Sequence, residues 1–162
     1  MPTPPRTVDL KLLIVDDDPN TRDLLADALA VRGGHVRAVG SASEARSTLV
    51  AWHPDLVISD VDMPRETGYE LIRRVRHLPA REGGTTPAIA CTGYTRPEDR
   101  LRAMHAGFDA VVTKPVDLDE LLRAIVQLAG VRGPLCVASV APAADAAEPG
   151  ADAEARKSAP DS

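Results

Sequence analysis

The chain has 162 residues, enough for one domain with tails, and carries 24 acidic against 19 basic side chains for a formal net charge of −5. Without a basic stripe to neutralise phosphates, direct nucleic-acid binding is not expected. The two cysteines, Cys91 and Cys136, form no disulfide or metal pattern, residues 1–8 lack a signal-peptide core and no apolar run nears the ~20 residues of a membrane span; a cytoplasmic protein with no membrane partner is expected.

Residues 9–15 read as a first strand, whose Leu12-Leu13-Ile14-Val15 runs into Asp16-Asp17-Asp18. Pro19 and Asn20 open a helix with Leu24, Leu25, Ala28 and Leu29 expected on one face, ended by Gly33-Gly34. A short strand follows at 35–39. Ser41 with Glu44 is a capping-box signal for a helix through about Val50, and Trp52 at the end of this helix reads as a packing residue. Pro54 breaks the chain before a third strand at 55–59, where Leu56-Val57-Ile58-Ser59 runs into Asp60 and then Val61-Asp62-Met63-Pro64. A loop through Gly68 leads to a helix with Leu71, Ile72 and Val75 on the core side.

After a polar loop at 81–86, Ala88-Ile89-Ala90-Cys91 reads as a fourth strand ending at Thr92-Gly93. Thr95 and Glu98 repeat the capping signal before a helix through Ala106, closed by Gly107. The fifth strand, Ala110-Val111-Val112-Thr113, ends at Lys114-Pro115. Asp117 with Glu120 caps a last helix whose Leu121, Leu122, Ile125, Val126 and Leu128 form a broad apolar face. One domain over 9–130 is expected. Residues 1–8 and the Ala/Pro/acidic tail at 131–162 are expected to be disordered, because such composition buries too little apolar surface to offset ordering entropy.

Short apolar runs alternating with helical patterns imply an α/β fold: a doubly wound, five-stranded parallel sheet with helices on both faces. Ligand sites in open α/β sheets gather at the carboxyl ends of the strands. The strand ends here carry Asp16, Asp17, Asp60, Thr92 and Lys114, so clustered carboxylates, a hydroxyl and an ammonium group are expected in one pocket. Carboxylates at close range repel unless something neutralises them, and Mg²⁺ does so with hard oxygen ligands. A carboxylate beside such an ion can attack phosphorus to give an acyl phosphate, with Lys114 neutralising the phosphoryl oxygens and Thr92 donating its hydroxyl proton. Gly93, lacking a side chain, leaves room for the incoming group.

The ordered set Ile14-Val15-Asp16-Asp17-Asp18, Asp60-Val61-Asp62-Met63-Pro64 with Gly68, Thr92-Gly93 and Lys114-Pro115 resembles the receiver domain of two-component response regulators over about residues 9–130. The resemblance implies the flavodoxin-like receiver fold, Asp60 as phosphoacceptor, and Asp17 and Asp60 as direct Mg²⁺ ligands. It further implies Asp16 acting through water and the backbone carbonyl of Asp62 completing the metal site. Thr92 and Lys114 would contact the phosphoryl group, and the Lys114–Pro115 bond would be cis. A histidine kinase or phosphotransfer protein would be the donor. The protein would act as a single-domain regulator rather than an enzyme, binding an output partner through about residues 96–130.

Three positions depart from the family pattern. Val111 stands where an aromatic or histidine switch residue is usual, which puts the ring half of that switch in question. Asp62 adds an acidic side chain two residues after the phosphoacceptor, expected to bias acyl-phosphate lifetime by repelling or orienting water. Arg65 occupies a loop position that is often glycine. Two other readings compete: a receiver-fold scaffold indifferent to phosphate, and a haloacid-dehalogenase-like Mg²⁺-dependent phosphatase built on Asp60-Val61-Asp62. The latter lacks a matching acidic motif after Lys114.

Overall fold

A computed structural model describes residues 9–93 and 96–129. The predicted tails, Cys136 and the Thr95 half of one capping signal lie outside the described residues. Five strands, β1 (Lys11–Val15), β2 (His35–Val39), β3 (Leu56–Asp60), β4 (Ala88–Thr92) and β5 (Ala110–Thr113), alternate with five helices. These are α1 (Pro19–Val31), α2 (Ala42–Trp52), α3 (Gly68–Arg76), α4 (Pro97–Ala106) and α5 (Leu118–Ala129). The sheet order is β2-β1-β3-β4-β5 and every pair is parallel, the doubly wound arrangement expected from the apolar runs.

The central strands carry two apolar faces because side chains alternate across a sheet. Leu12, Ile14, Leu56, Ile58, Ile89 and Cys91 meet Leu25 and Leu29 of α1 and the α5 residues Leu121, Leu122 and Ile125. Leu13, Val15, Val57, Ala88 and Ala90 meet α2, α3 and α4 on the other side. Each fully buried leucine or isoleucine contributes roughly 1.5–3 kcal/mol. Together they fix the strand register, since a one-residue slip would turn each apolar set to the wrong face.

Local chemistry sets the helix starts. The Asp18 carboxylate accepts from the N–H groups of Asn20 and Thr21, capping α1 just before Pro19. Ser41 caps α2 through the Glu44 N–H, but the Glu44 carboxylate returns to the Gly40 N–H rather than to the cap residue itself. Asp117 caps α5 by accepting from Asp119 and Glu120. The reciprocal capping box of α3 pairs Thr67 with Glu70 and was not among the sequence expectations.

The structure corrects two expectations. Leu24 does not share the core face of α1: it is 70% exposed, whereas Leu25 and Leu29 are buried. Adjacent helical residues point about 100° apart, and a helix lying on a flat sheet buries a narrow stripe. The loop at 81–86 begins inside a short 3-10 turn, Ala80–Glu82.

Trp52 packs against the α2/α3/α4 side of the core at the amino edge of the sheet, with the Arg37 guanidinium 4.8 Å and the Lys11 ammonium 5.7 Å from its ring centroid.

Candidate functional site

The register places the site. Val15 pairs with Ser59, so the next residues, Asp16 and Asp60, lie side by side at the carboxyl ends of β1 and β3. β1 has β2 on its other flank, and the chain's winding direction reverses between β1 and β3, where an open sheet leaves a crevice. Asp60 pairs with Cys91, and Thr92 with Thr113, which brings Thr92 and Lys114 to the same edge. The Lys114 N–H donates to the Thr92 carbonyl at 2.7 Å, tying the ends of β4 and β5 together. The Lys114–Pro115 bond is cis, as the resemblance implied.

The expected side chains converge. Lys114 Nζ lies 2.9 Å from Asp60 Oδ1 and 3.8 Å from Asp16 Oδ2. Asp16, Asp17 and Asp60 each offer a carboxylate oxygen, all within 4.8 Å of one another. Asp16, Asp60 and Thr92 are buried, whereas Asp17 is exposed. Such a donor set of hard oxygens, two of them drawn out of bulk water, suits a divalent cation.

Electrostatics follow the geometry. Burial raises the Asp16 carboxyl above its ordinary range, and the neighbouring Asp60 and Asp17 charges push the same way. The Asp18 N–H and Lys114 oppose them. Burial works against the charged form of Lys114, but its hydrogen bond to Asp60 and the Asp60 and Asp16 charges outweigh that, so its pKa is raised. The ammonium therefore stays charged throughout the neutral range.

The surrounding loops hold the carboxylates. Asp16 Oδ1 accepts from the Asp18 N–H at 2.9 Å, and Asp60 Oδ1 accepts from the Asp62 N–H at 3.1 Å. Asp62 itself is exposed in the turn after β3. Gly68 begins α3 against that turn: its N–H donates to the Val61 carbonyl at 3.0 Å, and a Cβ there would stand 2.4 Å from the Asp60 carbonyl oxygen. Glycine is thus required by close backbone approach. At Gly93 a Cβ would meet no atom within 4 Å among the described residues beyond its own chain neighbour. Arg65 adopts φ +71°, the left-handed conformation that explains why glycine suits this loop position. Glu66, next to it, is gripped by Arg46 and Arg74. Val111 is buried in the α2/α3/α4 core and carries no ring that could swing outward.

Sequence reasoning missed Arg22, whose Nη1 donates to the Asp16 carbonyl at 2.9 Å. Its only sequence signal was position, one turn into the helix that leaves the acidic triplet.

The chain belongs to the response regulator receiver domain family, whose profile matches residues 12–126. A 14.6 kDa protein from the sodA1 3′ region of Leptolyngbya boryana is 50% identical over 118 residues, 73% of this chain and 88% of that one. The sensor histidine kinase RcsC of Escherichia coli K12 is 39% identical over 111 residues, 68% of this chain but 11% of the kinase, so the chain spans about a tenth of that relative's length. The solved receiver domain of the sensor histidine kinase PA1611 of Pseudomonas aeruginosa superposes with a TM-score of 0.67 at 27% identity, over 76% of this chain and 99% of that one. That structure has a magnesium ion coordinated in its active-site cleft. Receiver domains are signalling domains that take phosphoryl groups from histidine kinases. Among the described residues no helix is long and apolar enough to cross a membrane.

Proposed function

We propose that this receiver domain accepts a phosphoryl group on Asp60 and signals through phosphorylation-dependent binding of a partner. The observation that carries the reading is the meeting of Lys114 Nζ with Asp60 Oδ1 at 2.9 Å beside the Asp16 and Asp17 carboxylates.

In the transfer step an Asp60 carboxylate oxygen attacks the phosphorus of a phosphohistidine. A P–O bond forms, the P–N bond breaks, and the imidazole leaves with its electron pair and takes a proton. Lys114 sits where it neutralises charge on the phosphoryl oxygens, and the Thr92 hydroxyl, at the adjacent strand end, donates to another. Asp16, Asp17 and Asp60, with the backbone carbonyl of Asp62, would hold Mg²⁺, which when bound supplies positive charge to offset both the clustered carboxylates and the transferring phosphoryl group. The exposed Asp62 carboxylate adjusts access of water to the acyl phosphate. Substituting Asn there should alter the dephosphorylation rate, and an unchanged rate removes this role.

The donor is a histidine kinase or phosphotransfer protein in the cytoplasm, and the output surface lies on about residues 96–130. The 88% coverage of the Leptolyngbya relative favours a single-domain regulator. The decisive trial is phosphorylation by a small-molecule phosphodonor with Mg²⁺, comparing wild type with Asp60→Asn. Label should appear on the wild type alone, and equal labelling of the two would sink the assignment.

The buried valine at position 111 favours one second reading, a scaffold whose partner binding ignores phosphate. Binding unaffected by beryllofluoride would support that reading instead. The family assignment leaves the dehalogenase-type alternative without support.

A further inference from the structure

We infer that Arg22 is a positioning residue for the acidic turn, and that Gly40 exists to seat it. This rests on the proposed metal and phosphoacceptor site. Side chains on a helix lean toward its N-terminus, so Arg22, in the first turn of α1, reaches back over the Asp16–Asp18 turn. Its Nη1 donates to the main-chain carbonyl of Asp16 at 2.9 Å.

On its other side the guanidinium lies close against Gly40, just past the end of β2. A Cβ on Gly40 would stand 2.7 Å from Arg22 Nη1, so any larger residue there displaces the arginine head. The Gly40 backbone is itself anchored, its N–H donating to Glu44 Oε1 at 2.9 Å. One residue earlier, the Val39 carbonyl accepts from the Asp16 N–H at 3.1 Å. Asp16 is therefore fixed at its N–H by β2, at its carbonyl by Arg22 and at its carboxylate by the Asp18 N–H and Lys114. Remove Arg22 and the carbonyl between Asp16 and Asp17 loses this hydrogen bond. The peptide can then rotate, and it carries the carboxylates of its two flanking residues with it. Groups that orient metal ligands typically matter about 10- to 100-fold in metal affinity when lost.

The test is calorimetric titration of the full chain with Mg²⁺ alone, alongside urea unfolding without metal. Arg22→Met and Gly40→Ala should each weaken Mg²⁺ affinity about 10-fold. Arg22→Lys should recover part of the loss. The double variant should be no worse than the worse single, because Gly40→Ala acts only by moving the guanidinium. Weaker affinity that appears in Arg22→Met but not in Gly40→Ala would overturn the seating claim. Folded variants that bind Mg²⁺ like the wild type would overturn the positioning role while leaving the site reading intact. A wild type that binds no Mg²⁺ would overturn the site reading and this inference with it.

Discussion

Replacing Gly68 with alanine strikes a place where the start of α3 and the end of the strand carrying Asp60 approach backbone to backbone. The added Cβ would lie 2.4 Å from the Asp60 carbonyl oxygen, 2.7 Å from Val61 Cα and 3.1 Å from the Asp60 carbonyl carbon. An ordinary carbon–oxygen contact is roughly 3.3 Å or longer, so the gap must open by about 1 Å. No rotamer change relieves this, because the obstructing atoms are all main chain. The first turn of α3 is also pinned, by Gly68 donating to Val61 and by the Thr67–Glu70 capping box. The strain is therefore shared between α3 and the end of β3. Overpacking of this kind costs about 1–3 kcal/mol, with less than about 1 kcal/mol returned by alanine's helix preference. A displacement of about 1 Å at a nucleophile can slow its reaction about 100-fold. Urea unfolding and the rate of phosphorylation by a small-molecule donor measure the two effects separately. Gly93→Ala serves as the stability control, since among the described residues its Cβ meets nothing within 4 Å beyond its own chain neighbour. A Gly68→Ala protein that unfolds and phosphorylates like the wild type would refute the close-approach argument.

Other outcomes follow from single contacts. Arg76 donates to the carbonyls of Gly107, Gly84 and Thr86 at 2.9, 3.0 and 2.7 Å and pairs with Asp109 at 2.9 Å, joining α3 to the loops before β4 and β5. Burial lowers the guanidinium's pKa against the pull of Asp109, and Arg76→Met should lose about 2–4 kcal/mol in urea unfolding; a loss below about 0.5 kcal/mol contradicts this. The Cys91 thiol is pushed up to about 12, chiefly by burial, so a Cys136→Ser protein should resist a thiol reagent at pH 8 until it unfolds. Rapid labelling of the native protein would show that the strand opens. Arg65→Gly relieves a left-handed residue and should stabilise by up to about 1 kcal/mol, whereas a fall in stability would remove strain as the account of that loop.

The sheet was readable because strands buried on both faces must be apolar throughout, and four such runs stand out between helical patterns. β2 is the informative exception. It lies at a sheet edge, and its His35-Val36-Arg37-Ala38-Val39 is only partly covered, so polar residues stand among its apolar ones. The error at Leu24 has the opposite origin: periodicity shows that a helix has an apolar side, but the width of the buried stripe depends on what it packs against. The missed box at Thr67–Glu70 was present in the sequence, a threonine followed three residues later by glutamate ahead of Leu71 and Ile72.

The site's main groups were legible for a different reason. Each ends a strand, so parallel pairing brings them to one edge whatever the loops do. What pairing order cannot say is how those groups are braced. The contact of Arg22 with the Asp16 carbonyl, and the empty Cβ position of Gly40 beneath it, arise from β2 and α1 meeting in space. The alignment of Val15 with Ser59 is the deeper requirement. Were β3 to slip by one residue, its apolar side chains would exchange faces and the Asp60 carboxylate would move about 3.3 Å along the strand. That is larger than its 2.9 Å contact with Lys114. The two hydrophobic layers that forbid the slip are thus also what keep Asp60 against its lysine. Stability of the core and chemistry at the edge are set by the same register.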